Sequence, residues 1–181
     1  EGDQQAGSGG PDAENLAATV RKAAAKGPPP VHLWNPPFCG DLEMRIARDG
    51  TWFYMGTPIG RPALVRLFAS VIRKDDDAYF LVTPVEKVGI TVDAAPIVAQ
   101  DFRVEDAGEA QRLVFATNVG DETEAGPEHP IRVVRDAQTG EPSPYVHVRA
   151  NLEALIDRKS FYRLVDLGEH AAVDGRTWFG V

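Results

Sequence analysis

A short run in the C-terminal half of the chain alternates three chemically useful side chains with valines. Tyr145, His147 and Arg149 are separated by Val146 and Val148. Because successive side chains of a β-strand point to opposite faces, the three polar groups are expected on one face of a strand. An aromatic ring beside an arginine suits a planar, anionic ligand, through stacking and a bidentate hydrogen-bonded contact. The alternative, which spacing alone favours, is an ordinary solvent-facing side of a sheet.

Other polar candidates lie at the ends of predicted elements. Thr83, Glu86 and Lys87 fall in a connection between two predicted strands, where functional groups commonly sit on a rigid scaffold. Arg61 and Arg158 occupy corresponding helix-entry positions in the two halves of the chain. Each position also has a simple structural interpretation, in which the turn residues are exposed and the arginines pair with carboxylates elsewhere in the chain.

Residue types that usually mark catalytic or metal centres are sparse. Cys39 is the only cysteine, and the four histidines form no close pair in the sequence. The motifs of zinc peptidases, serine hydrolases and phosphate-binding loops are absent. The carboxylate of Asp41, two residues from Cys39, opposes formation of a reactive thiolate, so we expect Cys39 to be dispensable. The sequence predicts neither a metal site nor a cofactor.

The composition narrows the classes of partner. The chain has 181 residues, with 27 Asp and Glu against 19 Lys and Arg, which gives a net charge of −8. This charge repels a phosphate backbone, so no nucleic acid is expected as a partner. No run approaches the roughly 18 apolar residues of a membrane helix, so no membrane insertion is expected. A single cysteine and a polar N-terminus, in place of a secretion signal, indicate a cytoplasmic protein.

Strand patterns predominate in the part of the chain that must position the candidate residues. The predicted strands are 42–46, 51–55, 79–82, 88–92, 97–104, 113–117, 131–134 and 145–149. Because these runs are short and closely spaced, antiparallel sheets are expected. Helices are predicted after Asp12, from Pro62 through a face that extends to Ile72, and after a cap at Ser160. The acidic residues 75–77 predict a solvated turn.

The order of elements suggests an internal duplication. In each half a strand is followed by an aromatic strand and then by a helix that contains an arginine, four residues and an Arg-Leu pair. These pairs are Arg66-Leu67 and Arg163-Leu164. We therefore predict an α+β protein of two related strand-rich units, residues 12–94 and 95–181, each a curved antiparallel sheet with a helix. Residues 1–11 are polar and glycine-rich, which predicts a flexible tail.

A series of motifs runs from Trp34 to the C-terminus. They are Trp34-Asn35-Pro36, Cys39-Gly40-Asp41, the segment 49–61, the segment 83–88, Thr117-Asn118-Val119-Gly120-Asp121, the segment 144–149 and Leu152-Glu153-Ala154. Together they resemble a bacterial family known as domain of unknown function twelve-eighty-five. The resemblance implies a duplicated core and a C-terminal half superficially similar to pleckstrin-homology-like folds. It also implies a nucleotide-type ligand at the interface between the domains and a role in signal transduction.

These observations favour a non-enzymatic protein that binds a small anionic, nucleotide-type ligand in the cleft between its two halves, in a sensing or signal-transduction role. The predicted site comprises Arg61, Thr83, Lys87, Asn118, Tyr145, His147 and Arg149. Two alternatives stay open. One is a hydrolase or transferase without a recognisable motif, which uses carboxylates and Lys87. The other is a protein-interaction module with a protein partner, since pleckstrin-homology-like architectures often bind proteins.

Overall fold

A computed structural model describes residues 11–106, 108 and 110–181. The flexible tail predicted for residues 1–11 therefore lies, except for Pro11, outside the described residues. The chain divides into two compact units, Glu1–Pro96 and Ile97–Val181. In the described part of the chain, no helix has both the length and the apolar character needed to cross a membrane.

Unit 1 is a six-stranded sheet with two α-helices. Its elements are α1 (Ala13–Ala24), a short 3-10 helix (Val31–Leu33), β1 (Phe38–Ile46), β2 (Trp52–Tyr54), β3 (Thr57–Pro58), α2 (Pro62–Ala69), β4 (Ile72–Asp75), β5 (Ala78–Val82) and β6 (Lys87–Val92). The strand order is β3-β2-β1-β6-β5-β4, with β1 and β6 parallel at the centre. All other neighbours in the sheet are antiparallel.

The two helices of unit 1 begin at signals that the sequence shows. The Asp12 carboxylate accepts a hydrogen bond from the backbone N–H of Asn15 and caps α1, as predicted. Pro62 occupies the first turn of α2, where its missing N–H costs nothing. The predicted helical face is too long, however, because α2 ends at Ala69 and Ile72 begins strand β4. Phe68 of α2 is fully buried and stacks on Trp52, which fixes the helix on the sheet.

Unit 2 is also a six-stranded sheet, followed by a helix and a hairpin. Its elements are β7 (Ile97–Glu105), β8 (Arg112–Thr117), β9 (Glu122–Glu124), β10 (Ile131–Arg135), β11 (Pro142–Arg149), β12 (Leu152–Ile156), α3 (Arg158–Leu167), β13 (Glu169–Val173) and β14 (Arg176–Gly180). The sheet order is β10-β11-β12-β7-β8-β9, with β12 and β7 parallel. Strands β13 and β14 pair only with each other in the described sheets.

The two sheets share one topology, which confirms the prediction of related halves. In each unit the first and sixth strands are parallel neighbours at the centre, and three-stranded antiparallel meanders extend outwards from them. The prediction of purely antiparallel sheets is therefore wrong at this central pair. The helices with the Arg-Leu pairs differ in place, because α2 follows the third strand of its unit and α3 follows the sixth. The sequence repeat thus matches the first meander and helix of unit 1 with the last meander and helix of unit 2.

Two local predictions also need correction. Asp157, not Ser160, caps α3, because the Asp157 carboxylate accepts a hydrogen bond of 2.7 Å from the Ser160 backbone N–H. Asp75 is not part of a fully solvated turn, since it ends β4 and pairs with Arg73 and Lys87. Asp157 and Ser160 can both cap a helix, and residues 75–77 are all acidic, so the sequence alone does not show which residue forms the contact.

Candidate functional site

The alternation predicted for strand β11 is present. Tyr145, His147 and Arg149 are half-buried, while Val146 and Val148 between them are buried in the core. Each of the three polar side chains already has a partner within unit 2. The Tyr145 ring lies 4.7 Å from the Arg132 guanidinium, which in turn forms an ion pair with Glu153. The stacking surface of Tyr145 is thus occupied on one side by a neighbouring cation.

Arg149 does not present an unpaired guanidinium. Its Nη1 donates a hydrogen bond to the Asp121 carboxylate, in an ion pair where about a third of each side chain is exposed. Asp121 belongs to the loop after β8, and its backbone N–H is held by the Thr117 hydroxyl. The pair therefore ties β11 to this loop, and an external anion would have to compete with a fixed carboxylate.

His147 forms a close pair with His129, although the two histidines are far apart in the sequence. Their Nδ1 atoms lie 3.0 Å apart and their rings stack at 5.1 Å. His147 Nε2 lies 2.6 Å from the carbonyl oxygen of Ala150, which can only accept a hydrogen bond. Nε2 of His147 therefore carries a proton, and in the neutral pair the Nδ1–H of His129 donates to His147. The 18-residue sequence separation gave no signal of this contact.

Thr83 and Asn118 hold backbone groups. The buried Thr83 hydroxyl accepts hydrogen bonds from the N–H groups of Val85 and Glu86 and so fixes the turn between β5 and β6. The Asn118 side-chain oxygen accepts from the Val98 N–H at 2.9 Å. Both side chains therefore hold the backbone of their own unit through hydrogen bonds.

Lys87 belongs to a small charged network on the sheet of unit 1. Its ammonium lies 3.4 Å from the Asp75 carboxylate and 4.7 Å from the centre of the Phe80 ring. Arg73 donates two hydrogen bonds of 2.8 Å to Asp75 and lowers the pKa of that carboxyl, with a smaller effect from Lys87. Arg73 also donates to the carbonyls of Val31 and Trp34, so the network anchors the proline-rich arm. Beside it, burial raises the pKa of Glu86.

Arg61 lies on a groove of unit 1 that neither Thr83 nor Lys87 lines. It is the exposed N-cap residue of α2 and lies on a groove between α1, α2 and the β2–β3 hairpin. We call this the α1–α2 groove; its volume is about 580 Å³. One wall consists of Ala13, Glu14, Ala17 and Arg21 of α1. The opposite side consists of Arg61, Leu64 and Phe68 together with Tyr54, Thr57 and residues 58–60.

Arg21 is a groove residue that the sequence analysis missed. The spacing of Ala13, Ala17 and Arg21 is four residues, which places them on one stripe of α1. The stripe is visible in the sequence, but nothing there shows that it faces a cavity shared with Arg61.

The two groove arginines differ from most arginines of this acidic chain. Eight arginines form ion pairs with carboxylates in the described residues: Arg45, Arg73, Arg103, Arg112, Arg132, Arg149, Arg158 and Arg163. Arg158, the predicted counterpart of Arg61, is among them through Glu141. Within the described part of the chain, neither Arg21 nor Arg61 has a carboxylate within 4.0 Å. Their positive charge is therefore available to a ligand in the groove.

The described residues form no candidate metal site. Across residues 11–106, 108 and 110–181, no group of three or more His, Cys, Asp or Glu side chains could hold a metal ion. Cys39 is an exposed free thiol whose Sγ lies 3.4 Å from the Pro37 carbonyl oxygen. The α1–α2 groove is therefore the best candidate for a binding site.

Comparisons with known proteins give one family and no activity. The family model for the N-terminal domain of a domain of unknown function (DUF1285) matches residues 29–95, and the model for the C-terminal domain of the same family matches residues 96–181. A crystal structure of a DUF1285 family protein from Silicibacter pomeroyi DSS-3 is 64% identical, with a TM-score of 0.81, and the match covers 92% of this chain and 88% of that one. A second, from Shewanella baltica OS155, is 30% identical with a TM-score of 0.54 and covers 69% of this chain and 91% of that one. No curated protein matches.

Proposed function

The chain belongs to the DUF1285 family, and from this premise we propose that it is a binding protein for a small anionic ligand, with a role in sensing or signal transduction. The observation that carries the proposal is the presence of two guanidinium groups, those of Arg21 and Arg61, on one groove without a described carboxylate partner. The chain has eight more acidic than basic residues (27 − 19), so carboxylates are in excess, yet none of the described ones pairs with either arginine.

The groove suits an anion that carries an apolar or aromatic part. A guanidinium binds a carboxylate or phosphate through two parallel hydrogen bonds, which gives both energy and orientation. The half-buried Leu64 and Ile59 supply apolar surface beside the charges, and the half-buried Tyr54 adds an aromatic ring. A volume of about 580 Å³ falls within the usual range for small-molecule pockets. A nucleotide-type ligand, with a phosphate and a planar base, has both parts.

Of the seven residues that the sequence predicts for the site, the proposal keeps Arg61 as the anion-binding group. The other six have partners within their own unit, and moving them onto a ligand would break those contacts. An enzyme without a recognisable motif has less support. Asp49, Asp75, Asp93, Asp101, Glu122 and Asp136 all have a lowered pKa, because each accepts hydrogen bonds in its ionised form. Carboxyls of this kind are poor proton donors at neutral pH.

The proposal is tested by isothermal titration calorimetry with inorganic phosphate, pyrophosphate and phenyl phosphate. Removing a charge-assisted hydrogen bond typically costs about 1.5–3 kcal/mol, so Arg61→Gln should raise the dissociation constant about 10- to 150-fold. Arg61→Lys should restore only part of the affinity, because an ammonium lacks the planar fork. The matched control is Arg66→Gln, which removes an equal charge from α2 away from the groove.

The outcome is decisive in either direction. Weak binding by Arg61→Gln with near-normal binding by Arg66→Gln, at unchanged melting temperature, supports the proposal. Failure of wild-type protein to bind any of the three probes, or an equal loss in both variants, refutes it.

A further inference from the structure

We infer that helix α1 is a ligand-stabilised clamp, which an anion locks onto unit 1 by bridging Arg21 and Arg61 across the α1–α2 groove. The inference rests on the proposed function and adds how that binding would be transmitted. In this inference, ligand binding increases the fraction of molecules in which α1 is docked on unit 1, and this change in population is the sensing step.

Helix α1 is held by few contacts. It has 12 residues and buries only Ala13, Leu16, Ala17 and Val20, two of which are alanines. A helix of this length is marginal in isolation, so its stability depends on packing. Gly27 and prolines 28–30 follow α1 and lead to the short 3-10 helix Val31–Leu33. Elements with few buried apolar contacts open locally at low cost in free energy.

The charge arrangement makes docking sensitive to an anion. Docking places Arg21, on the α1 wall, on the same groove as Arg61 at the start of α2. Glu14 also lies on the α1 wall, yet neither Glu14 nor any other described carboxylate is within 4.0 Å of the two guanidiniums. Two like charges on one groove oppose docking, whereas an anion between them favours it. The ligand therefore binds the docked state more tightly than the open state.

Linkage makes the inference measurable by hydrogen exchange. If the probe binds only when α1 is docked, a free concentration of 100 times the dissociation constant should slow exchange of the amides in 13–24 by about 100-fold. The experiment uses the full chain with pyrophosphate, or with whichever of the three probes binds best. Amides of β7 and β8 in unit 2 serve as the internal reference, and their exchange should not change.

Two variants separate the bridge from general effects on the helix. Arg21 and Lys22 both lie in the last turn of α1, where a cation interacts favourably with the helix dipole, but only Arg21 lines the groove. Arg21→Gln should raise the dissociation constant by about 10-fold or more. At the same probe concentration the slowing in 13–24 should then fall to about 10-fold or less. Lys22→Gln should keep the wild-type response.

Each result bears on one statement. Probe binding that leaves exchange in 13–24 unchanged overturns the clamp and leaves the proposed function intact. An equal response of Arg21→Gln and Lys22→Gln also overturns it. Binding of none of the probes overturns the proposed function, and the clamp with it.

Discussion

Replacing Asp75 with Asn gives a direct test of how unit 1 uses its charges. The Asp75 carboxylate accepts two hydrogen bonds of 2.8 Å from Arg73 and one of 3.4 Å from Lys87. An Asn side chain keeps one acceptor oxygen but places an NH2 group against a guanidinium, which has no acceptor. The substitution therefore loses at least one hydrogen bond and the charge assistance of the others. Lys87 and Arg73 are left with less compensation for their partial burial.

The expected cost follows from the exposure of the network. Hydrogen bonds to charged groups contribute about 1.5–3 kcal/mol when well shielded. About a third of the Asp75 side chain is exposed, so solvent screening reduces this figure. We expect Asp75→Asn to lower the free energy of unfolding by about 1–2 kcal/mol at pH 7. Asp77→Asn, which removes an equal charge from the adjacent exposed turn, should change it by less than about 0.5 kcal/mol.

The pH dependence of the same variant supplies a second measurement. The pKa of Asp75 is lowered from 3.8 in the folded protein, chiefly by the hydrogen bond from Arg73. A carboxyl with a lowered pKa contributes stability that is present above its unfolded value and lost as the pH falls through the folded value. The wild type should therefore lose more stability than Asp75→Asn between pH 5 and the acid region below pH 3.8. The two proteins should converge at the acid end.

The assay needs a signal from unit 1 alone. Two of the three tryptophans, Trp34 and Trp52, lie in unit 1, and Trp178 lies in unit 2. Urea unfolding followed by tryptophan fluorescence in a Trp178→Phe background therefore reports on unit 1. Equal stability of Asp75→Asn and Asp77→Asn, or parallel pH profiles of wild type and Asp75→Asn, would show that the network does not stabilise the fold.

Two further predictions concern single contacts. Thr83→Val should destabilise unit 1 by about 1–3 kcal/mol, because two backbone N–H groups lose the buried Thr83 hydroxyl, while anion affinity stays unchanged. Urea unfolding and calorimetry check this; Thr83→Ser, which keeps the hydroxyl, is the control, and weaker anion binding without destabilisation would contradict the structural role. Gly168→Ala should displace the Phe179 ring, since the new Cβ would lie 2.2 Å from it. NMR should then show no contact between the His170 and Phe179 rings. Gly126→Ala, with open space at its Cβ, should preserve that contact, and its survival in Gly168→Ala would contradict the packing.

Local patterns predict most strands of this fold but not their central pairing. Alternation identifies β1 and β11, each of which has one buried and one more exposed face. The strand β12 escapes notice because four of its five residues are buried, so no alternation remains. It lies at the centre of the sheet beside β7, and this parallel pair joins the first and last strands of the sheet, which are far apart in the sequence. Turn chemistry specifies hairpins between neighbouring strands, whereas this pairing depends on packing of the whole sheet.

The candidate site shows a sharper limit on prediction from sequence. Residue type and spacing select Arg149 and Lys87, but their partners Asp121 and Asp75 lie 28 and 12 residues away. In an acidic chain a partly buried arginine is stabilised by the nearest carboxylate, so most arginines at strand ends are expected to pair. A ligand-binding arginine is then one that packing leaves without such a carboxylate, and this property belongs to the folded unit and not to any motif. Arg61 and Arg21 meet that criterion on the same groove, although 37 residues (25–61) separate the end of α1 from the start of α2.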